Sequence, residues 1–373
     1  MQIDIVFPVL PPVVDGIGDH TAHLSRALAD YADVRVLTAQ EEYLPIPGVR
    51  VEQGFTIDRR SGVLRLIGAV RARKPDWVFL QFNQFSYGRW GLNPYLAHTI
   101  RRTKDQSPGT RVAWMVHEDF MPATSIKKAI MSTWQRTQFR QLGNAADVIF
   151  FSIEPWVEKY ASWFPDARCE HLPVGSNIPD LGVARAEAKR AAGIDEDAIV
   201  VGFFGTMHGS RLREPLKRAI AAVADVSEKT VVLYVGPDGV GLRELLNGVA
   251  VIDAGALPPS EVSRRLAAMD MSATAFMDGV STRRGSFMAG LQHGVATVTN
   301  SGTHTGSLIR AEAGRGVLLS PTEDEAAFVE NARRVASDQS LRFSLSSAGR
   351  KFYYESFDWA VVARRAWETM AAA

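Results

Sequence analysis

The chain has 373 residues, with 42 Lys and Arg against 41 Asp and Glu for a net charge of +1, and 46% of it is hydrophobic. That apolar share excludes wholesale disorder, and the near-neutral charge leaves no global field for holding a nucleic acid. The single cysteine, Cys169, excludes an internal disulfide framework.

A typical domain is roughly 100–150 residues, so two are expected. Met1 to Leu10 carries Asp4 and no basic run, which speaks against a signal peptide. The apolar runs Ala198–Phe204 and Val231–Val235 fall far short of the roughly 20 residues of a membrane span, so a cytoplasmic protein is expected.

In chain order, Ile3–Phe7, Val34–Leu37, Trp77–Phe82, Val112–Val116 and Val148–Phe151 read as buried strands, apolar without alternation and rich in β-branched or aromatic residues. Helical patterns lie between them. His20–Ala29 sets Leu24, Ala27 and Leu28 on one face, and Leu64–Arg73 sets Leu64, Ile67 and Val70 on another. The rhythm pauses at His171–Val183, where Pro173, Gly175, Asn177, Pro179 and Gly182 cluster. It resumes with strands at Ile199–Phe204, Val231–Val235, Val249–Ile252, Met271–Ala275 and Thr297–Thr299, and with helices such as Glu214–Val223 and Ser260–Ala268. Glu323–Ala336 and Leu341–Thr369 read as helical throughout, with Phe343, Phe352, Tyr353, Trp359 and Trp367 available for docking. The pattern predicts two doubly wound α/β domains facing a central cleft, with ligands at the carboxyl ends of the strands.

Four segments could carry chemistry. After strand one, Gly16 and Gly18 open a helix next to Asp19, His20 and Thr21. Two glycines without the third exclude the dinucleotide fingerprint. An anion site at the helix N-terminus and a plain turn capped by Asp19 fit the spacing equally. Asp278 to Phe287 follows the strand Met271–Ala275. With Ser281 or Thr282 capping the next helix, its amides would converge with Arg283, Arg284 and Gly285 on one spot suited to a diphosphate. His117-Glu118-Asp119 ends a strand and lacks the spacing of a zinc motif, so both a ligand-facing and a capped structural histidine fit. Gly205 to Arg213 follows the first strand of the second half, and Arg211 or Arg213 could meet the same diphosphate.

Two further segments read as bland. Asp195-Glu196-Asp197 precedes a strand, which suits a solvated turn rather than a metal motif. Ile126–Leu142 is basic and carries Trp134 and Phe139. A membrane-surface helix fits it, but its interrupted apolar face favours ordinary packing.

The order of these motifs resembles the GT-B glycosyltransferases, the large retaining, nucleotide-sugar-dependent family called glycosyl transferase group 1, over nearly the whole chain. Gly16–Thr21 resembles its glycine loop, His117 stands where its cleft histidine stands, and Leu172–Pro179 resembles its interdomain segment. Phe203-Phe204-Gly205 resembles the opening of its donor domain. Asp278 to Gly294 occupies the place of its donor motif, running into Gly294-Val295-Ala296-Thr297-Val298. Phe357-Asp358-Trp359 resembles the start of its last helix. Two glutamates of the family pattern are replaced here by Ser281 and Ala289, which leaves Asp278 as the carboxylate to face the sugar. Arg211 falls nearest the family's phosphate-site lysine and Thr206 nearest its arginine.

The resemblance implies an acceptor-side domain over residues 1–178, a nucleotide-sugar domain over 179–355 and a helix over 356–373 crossing back to the first. It implies a retaining, metal-independent, hexosyltransferase-like enzyme with a nucleotide diphosphate sugar as co-substrate and no other cofactor. Its partners are a carbohydrate or small-molecule acceptor, no nucleic acid and at most peripheral membrane contact. The roles implied are sugar contact for His117 and Asp278 and diphosphate contact for Arg211. Gly16, Gly18, Asp19, Gly205, Ser281, Thr282, Arg283, Arg284 and Gly285 would bind the donor, and Asn83, Tyr87 and Arg89 the acceptor. A GT-B epimerase or pseudo-glycosidic coupling enzyme, and a non-catalytic sugar-nucleotide-binding protein, stay open as alternatives.

Overall fold

The computed structural model describes residues 1–237, 239–246 and 248–373. They form two compact units, Met1–Pro173 with Trp359–Ala373, and Val174–Asp358. The breaks lie a few residues from the expected 178/179 and 355/356.

In the first unit seven parallel strands are ordered β3-β2-β1-β4-β5-β6-β7. They are β1 (Gln2–Val6), β2 (Asp33–Thr38), β3 (Arg50–Gln53), β4 (Trp77–Phe82), β5 (Arg111–Val116), β6 (Val148–Phe151) and β7 (Arg168–His171). The inner strands are buried on both faces, as a sheet covered by helices on both sides requires; all six residues of β4 are buried. One face packs Val6, Leu66, Trp114, Phe139 and Tyr160, and the other Ile5, Leu24, Phe79 and Phe150. The polar exception is Asp4, fully buried on β1, which Arg35 holds at 2.6 Å and Arg73 at 2.5 Å.

The second unit has six parallel strands in the order β10-β9-β8-β11-β12-β13. These are β8 (Ile199–Phe204), β9 (Thr230–Val235), β10 (Ala250–Asp253), β11 (Met271–Thr274), β12 (Ala296–Ser301) and β13 (Val317–Pro321). In each sheet the strand order reverses once, between β1 and β4 and between β8 and β11, and open α/β sheets bind ligands at such switch points.

Several expectations are corrected. β3, β7 and β13 were not expected; each is the edge strand of its sheet, and β3 and β7 have no fully buried residue to mark them. Leu341–Thr369 is not one helix. It breaks at Phe357-Asp358 into Gln339–Ser356, which belongs to the second unit, and Trp359–Ala372, which belongs to the first. There Val362, Ala363, Ala366 and Met370 join the core formed with Leu24 and Leu28. Of the aromatics expected to dock, Phe343 is 74% exposed. In the helix Arg65–Arg73 it is Leu66 and Val70 that are buried, not Leu64 and Ile67.

Candidate functional site

In the second unit, the segments leaving the carboxyl ends of β8 and β11 meet. Gly205 turns the chain out of β8 with φ +90°, a left-handed conformation that favours glycine. Its loop returns to pair Arg211 with Phe276 in an antiparallel bridge. Arg211 is only 9% exposed. Its guanidinium donates to the Phe204 carbonyl at 2.6 Å and to Ser286 Oγ at 3.4 Å, and no carboxylate pairs with it among the described residues. Burial lowers its pKa from the usual arginine value. Arg284 lies on the other approach, its guanidinium 4.1 Å over the Phe276 ring and donating to Ser210 Oγ at 3.1 Å.

Arg284 is also the N-cap of the helix Gly285–Gln292, which no side chain caps. Ser281 and Thr282, expected as caps, are therefore corrected: both are buried one turn earlier. The Thr282 carbonyl accepts from Val174 N–H at 3.0 Å, and Ser281 Oγ is buried without a hydrogen-bond partner among the described residues. Arg283 is half-buried. The site thus gathers a buried cation, a second guanidinium and the positive end of a helix, an arrangement that attracts an anion. Thr206, Met207, His208 and Arg213 of the same loop also line a pocket of about 640 Å³ with Pro237 and Val240, a size suited to a small-molecule ligand.

Asp278 is held on a rigid crossing of two loops. Gly279 has φ +78°, and a Cβ there would fall 2.1 Å from the Gly302 nitrogen. The Asp278 carbonyl accepts from His304 N–H at 2.9 Å, and its half-exposed carboxylate lies 3.9 Å from His304 Nδ1. Ala289, at the position of the family's second glutamate, is fully buried, and the helix that carries it has no acidic residue.

In the first unit, Asp15 rather than Asp19 is the N-cap of the helix Gly16–Leu28, its carboxylate accepting from Ile17 N–H at 2.9 Å and Gly18 N–H at 2.8 Å. Gly18 serves close internal packing, since a Cβ would sit 2.7 Å from the Val9 carbonyl oxygen. Of the two readings of this loop, the plain capped turn is the one formed, with Asp15 in place of Asp19 taking the Ile17 and Gly18 amides. Burial and the adjacent Asp15 push the Asp19 carboxyl up to about 6.

His117 directly follows β5, 6% exposed, with Nε2 2.9 Å from Gln81 Oε1. Its ring packs edge-on against His20 at 4.7 Å, and His20 packs against Trp359 at 5.0 Å. His20 is 2% exposed and neither ring nitrogen has a hydrogen-bond partner among the described residues. Burial first, then His117 and His23, holds its pKa well below the usual range. Sequence reasoning missed this pairing of His20 with His117, and also Ser210, Phe276, Ser286 and His304. Only the serines beside arginines offered a signal.

Of the three expected acceptor residues, Tyr87 is corrected. Tyr87 is 1% exposed and its hydroxyl donates to the carbonyls of Gln81 and Val6. The Asn83 side chain accepts from Phe85 N–H as a turn cap. Arg89 lies 4.8 Å over the Trp90 ring. Glu118 and Asp119 form no metal cluster among the described residues, and Asp119 accepts from Tyr160 and Lys159 instead.

No family model and no curated protein matches the sequence. Solved structures match its fold end to end. Sucrose-phosphate synthase from Thermosynechococcus elongatus is 16% identical with a TM-score of 0.71, covering 100% of this chain and 98% of its own. WaaG, a glycosyltransferase involved in lipopolysaccharide biosynthesis, is 15% identical at 0.67, and HepE of Anabaena, in complex with UDP and glucose, is 14% identical at 0.65, each covering 100% of both chains. The fold is that of the GT-B glycosyltransferases, two doubly wound parallel-sheet units.

Proposed function

We propose that the protein is a retaining glycosyltransferase that moves a sugar from a nucleotide diphosphate sugar to a hydroxyl of a carbohydrate or other small molecule. The observation that carries this is Arg211, a buried cation with no carboxylate partner among the described residues, beside Arg284 and a helix N-terminus that no described side chain caps. HepE, of the same fold, has been solved with UDP-glucose, which supports a nucleotide-sugar donor.

In the reaction the bond from the anomeric carbon to the diphosphate oxygen breaks and the acceptor oxygen bonds to that carbon. The acceptor's proton ends on the released diphosphate. Negative charge develops on the leaving group, and preorganised donors aimed at it are usually the largest catalytic contribution. Arg211, Arg284 and the amides at Gly285 and Ser286 would supply them, which makes metal-independent catalysis the proposal. The pocket beside Thr206 and Pro237 would take the nucleoside, Asp278 would face the sugar hydroxyls, and His117 the sugar from the first unit.

Thermal unfolding with UDP, GDP, ADP, dTDP and CDP tests the donor. A bound diphosphate at roughly 100 times its Kd adds about 2.7 kcal/mol. A selective shift identifies the base; no shift with any of them overturns the reading. A second reading, a non-catalytic sugar-nucleotide-binding protein, is favoured by Ser281 and Ala289, which leave the donor helix without a carboxylate. A nucleotide shift without turnover across a broad acceptor panel would establish it.

A further inference from the structure

The helix Ile126–Gly143 carries Lys127, Lys128, Arg136 and Arg140 and no carboxylate in 18 residues, in a chain whose net charge is +1. Lys127 and Lys128 stand in its first turn, where the positive end of the helix disfavours cations. Ile126 is 83% exposed, and Ile130, one turn on along the same face, is 56% exposed. Ile130 also borders a groove of about 660 Å³ lined with Leu92, Pro94 and Trp134.

Trp134 ties this groove to Trp90. The Trp90 carbonyl accepts from the Trp134 indole N–H at 3.2 Å and from the Gln135 side-chain amide at 3.3 Å. Trp90 itself has φ +59°, a left-handed conformation that bulky residues rarely adopt, and its indole is 50% exposed beneath Arg89. A clamped, strained turn therefore displays a tryptophan and an arginine, tied through Trp134 to a helix whose first two turns carry two exposed isoleucines and two lysines.

Apolar patches of this kind on a soluble domain mark interaction surfaces. The charge selects the partner: Arg89, Lys127 and Lys128 pair with no carboxylate among the described residues, and such cations near aliphatic and indole side chains match a surface that is anionic outside and hydrocarbon beneath. We propose that the first unit docks on an anionic lipid bilayer. Ile126 and Ile130 enter the acyl boundary, Trp90 and Trp134 lie at headgroup depth, and Arg89, Lys127 and Lys128 meet lipid phosphates. The proposal uses none of the groups at Arg211 and Arg284, so it stands or falls apart from the transferase reading.

Cosedimentation of the full chain with vesicles tests it. The chain should pellet with a phosphatidylcholine–phosphatidylglycerol mixture at low salt, not with phosphatidylcholine alone, and should be released at high salt. Lys127→Glu with Lys128→Glu, and separately Ile126→Ser with Ile130→Ser, should each lower partitioning about tenfold or more. Ile126, Lys127 and Ile130 are exposed and Lys128 is half-buried, and an unchanged Tm checks that folding is intact. Absence of binding to anionic vesicles, equal binding to both vesicles, or full retention by both double variants would overturn the proposal. So would a dimer in solution that Ile126→Ser with Ile130→Ser dissociates while vesicles are ignored.

Discussion

Arg211 and Arg284 approach the same phenyl ring, that of Phe276, with their guanidinium carbons 6.0 and 4.1 Å from its centroid. An aromatic face holds a cation in place without neutralising it. Arg211 has no carboxylate partner among the described residues, so its charge is positioned yet available to an incoming anion.

Removal of either group should cost activity rather than fold. Arg284→Ala is expected to lower kcat/KM for transfer by about 2–4 kcal/mol, and Arg211→Ala by as much. Arg283→Ala, one residue before the helix cap, is the comparison. Steady-state kinetics with each variant decide which arginines touch the diphosphate, and unchanged turnover in Arg284→Ala and Arg211→Ala would remove both from the mechanism.

His117→Ala should impair transfer more than it weakens binding of the bare nucleoside diphosphate. Calorimetric binding and turnover measured on one preparation separate the two. Equal losses would make His117 a packing partner of His20 and nothing more.

Gly279→Ala should destabilise the second unit by about 3 kcal/mol or more, because it meets both a left-handed backbone and the Gly302 nitrogen. Gly285→Ala meets nothing within 4 Å and should leave the melting temperature nearly unchanged. Chemical denaturation of the pair reads the contrast.

Two groups give opposite pH dependences. Burial lowers the His171 pKa from 6.5 to about 4, so the unfolded chain binds the extra proton between those values. Stability from this group is complete above pH 6.5 and is lost as pH falls toward 4, on the order of 2 kcal/mol for a partly shielded ring. Asp19, raised from 3.8 to about 6, is the reverse: the folded state holds the proton, and stability falls as pH rises through that window. Asp19→Asn should therefore stabilise the protein at pH 7 by about 1 kcal/mol, the partial exposure of the group reducing the effect. Urea titrations at pH 5 and pH 7 check both signs.

Asp4→Ala should cost about 3 kcal/mol, since it takes the buried carboxylate from Arg35 and Arg73 and leaves them only the more exposed Glu52 and Asp33. Loss of cooperative unfolding in the near-ultraviolet signal would report it.

The central strands were legible because burial on both faces leaves an unbroken apolar run, as in Trp77–Phe82. Arg50–Gln53 and Arg168–His171 were not, since an edge strand is partly solvated and its polar residues read as loop. At the candidate site, Arg211, Arg284 and Gly285 followed from strand-loop-helix placement. The caps did not. Ser281 and Thr282 are drawn into the interior by bonds from distant residues: Val280 N–H donates to the Asn300 carbonyl, and Thr305 Oγ1 to the Val280 carbonyl. Tyr87 failed as an acceptor residue for the same reason, because its partner Val6 is 81 residues away. Periodicity reports which face of an element is apolar and says nothing of partners that only the tertiary fold supplies.

The helix Trp359–Ala372 completes the core of the unit that the chain began to build at Met1, after an entire second unit has intervened. On the ribosome, then, the first unit emerges early but waits with Leu24 and Leu28 uncovered until Trp359–Ala372 leaves the exit tunnel, whereas the second unit is contiguous and can close without waiting. Synthesis order and completion order are thereby inverted, and the stretch of apolar surface around Leu24 is the one a cotranslational chaperone would have longest to find.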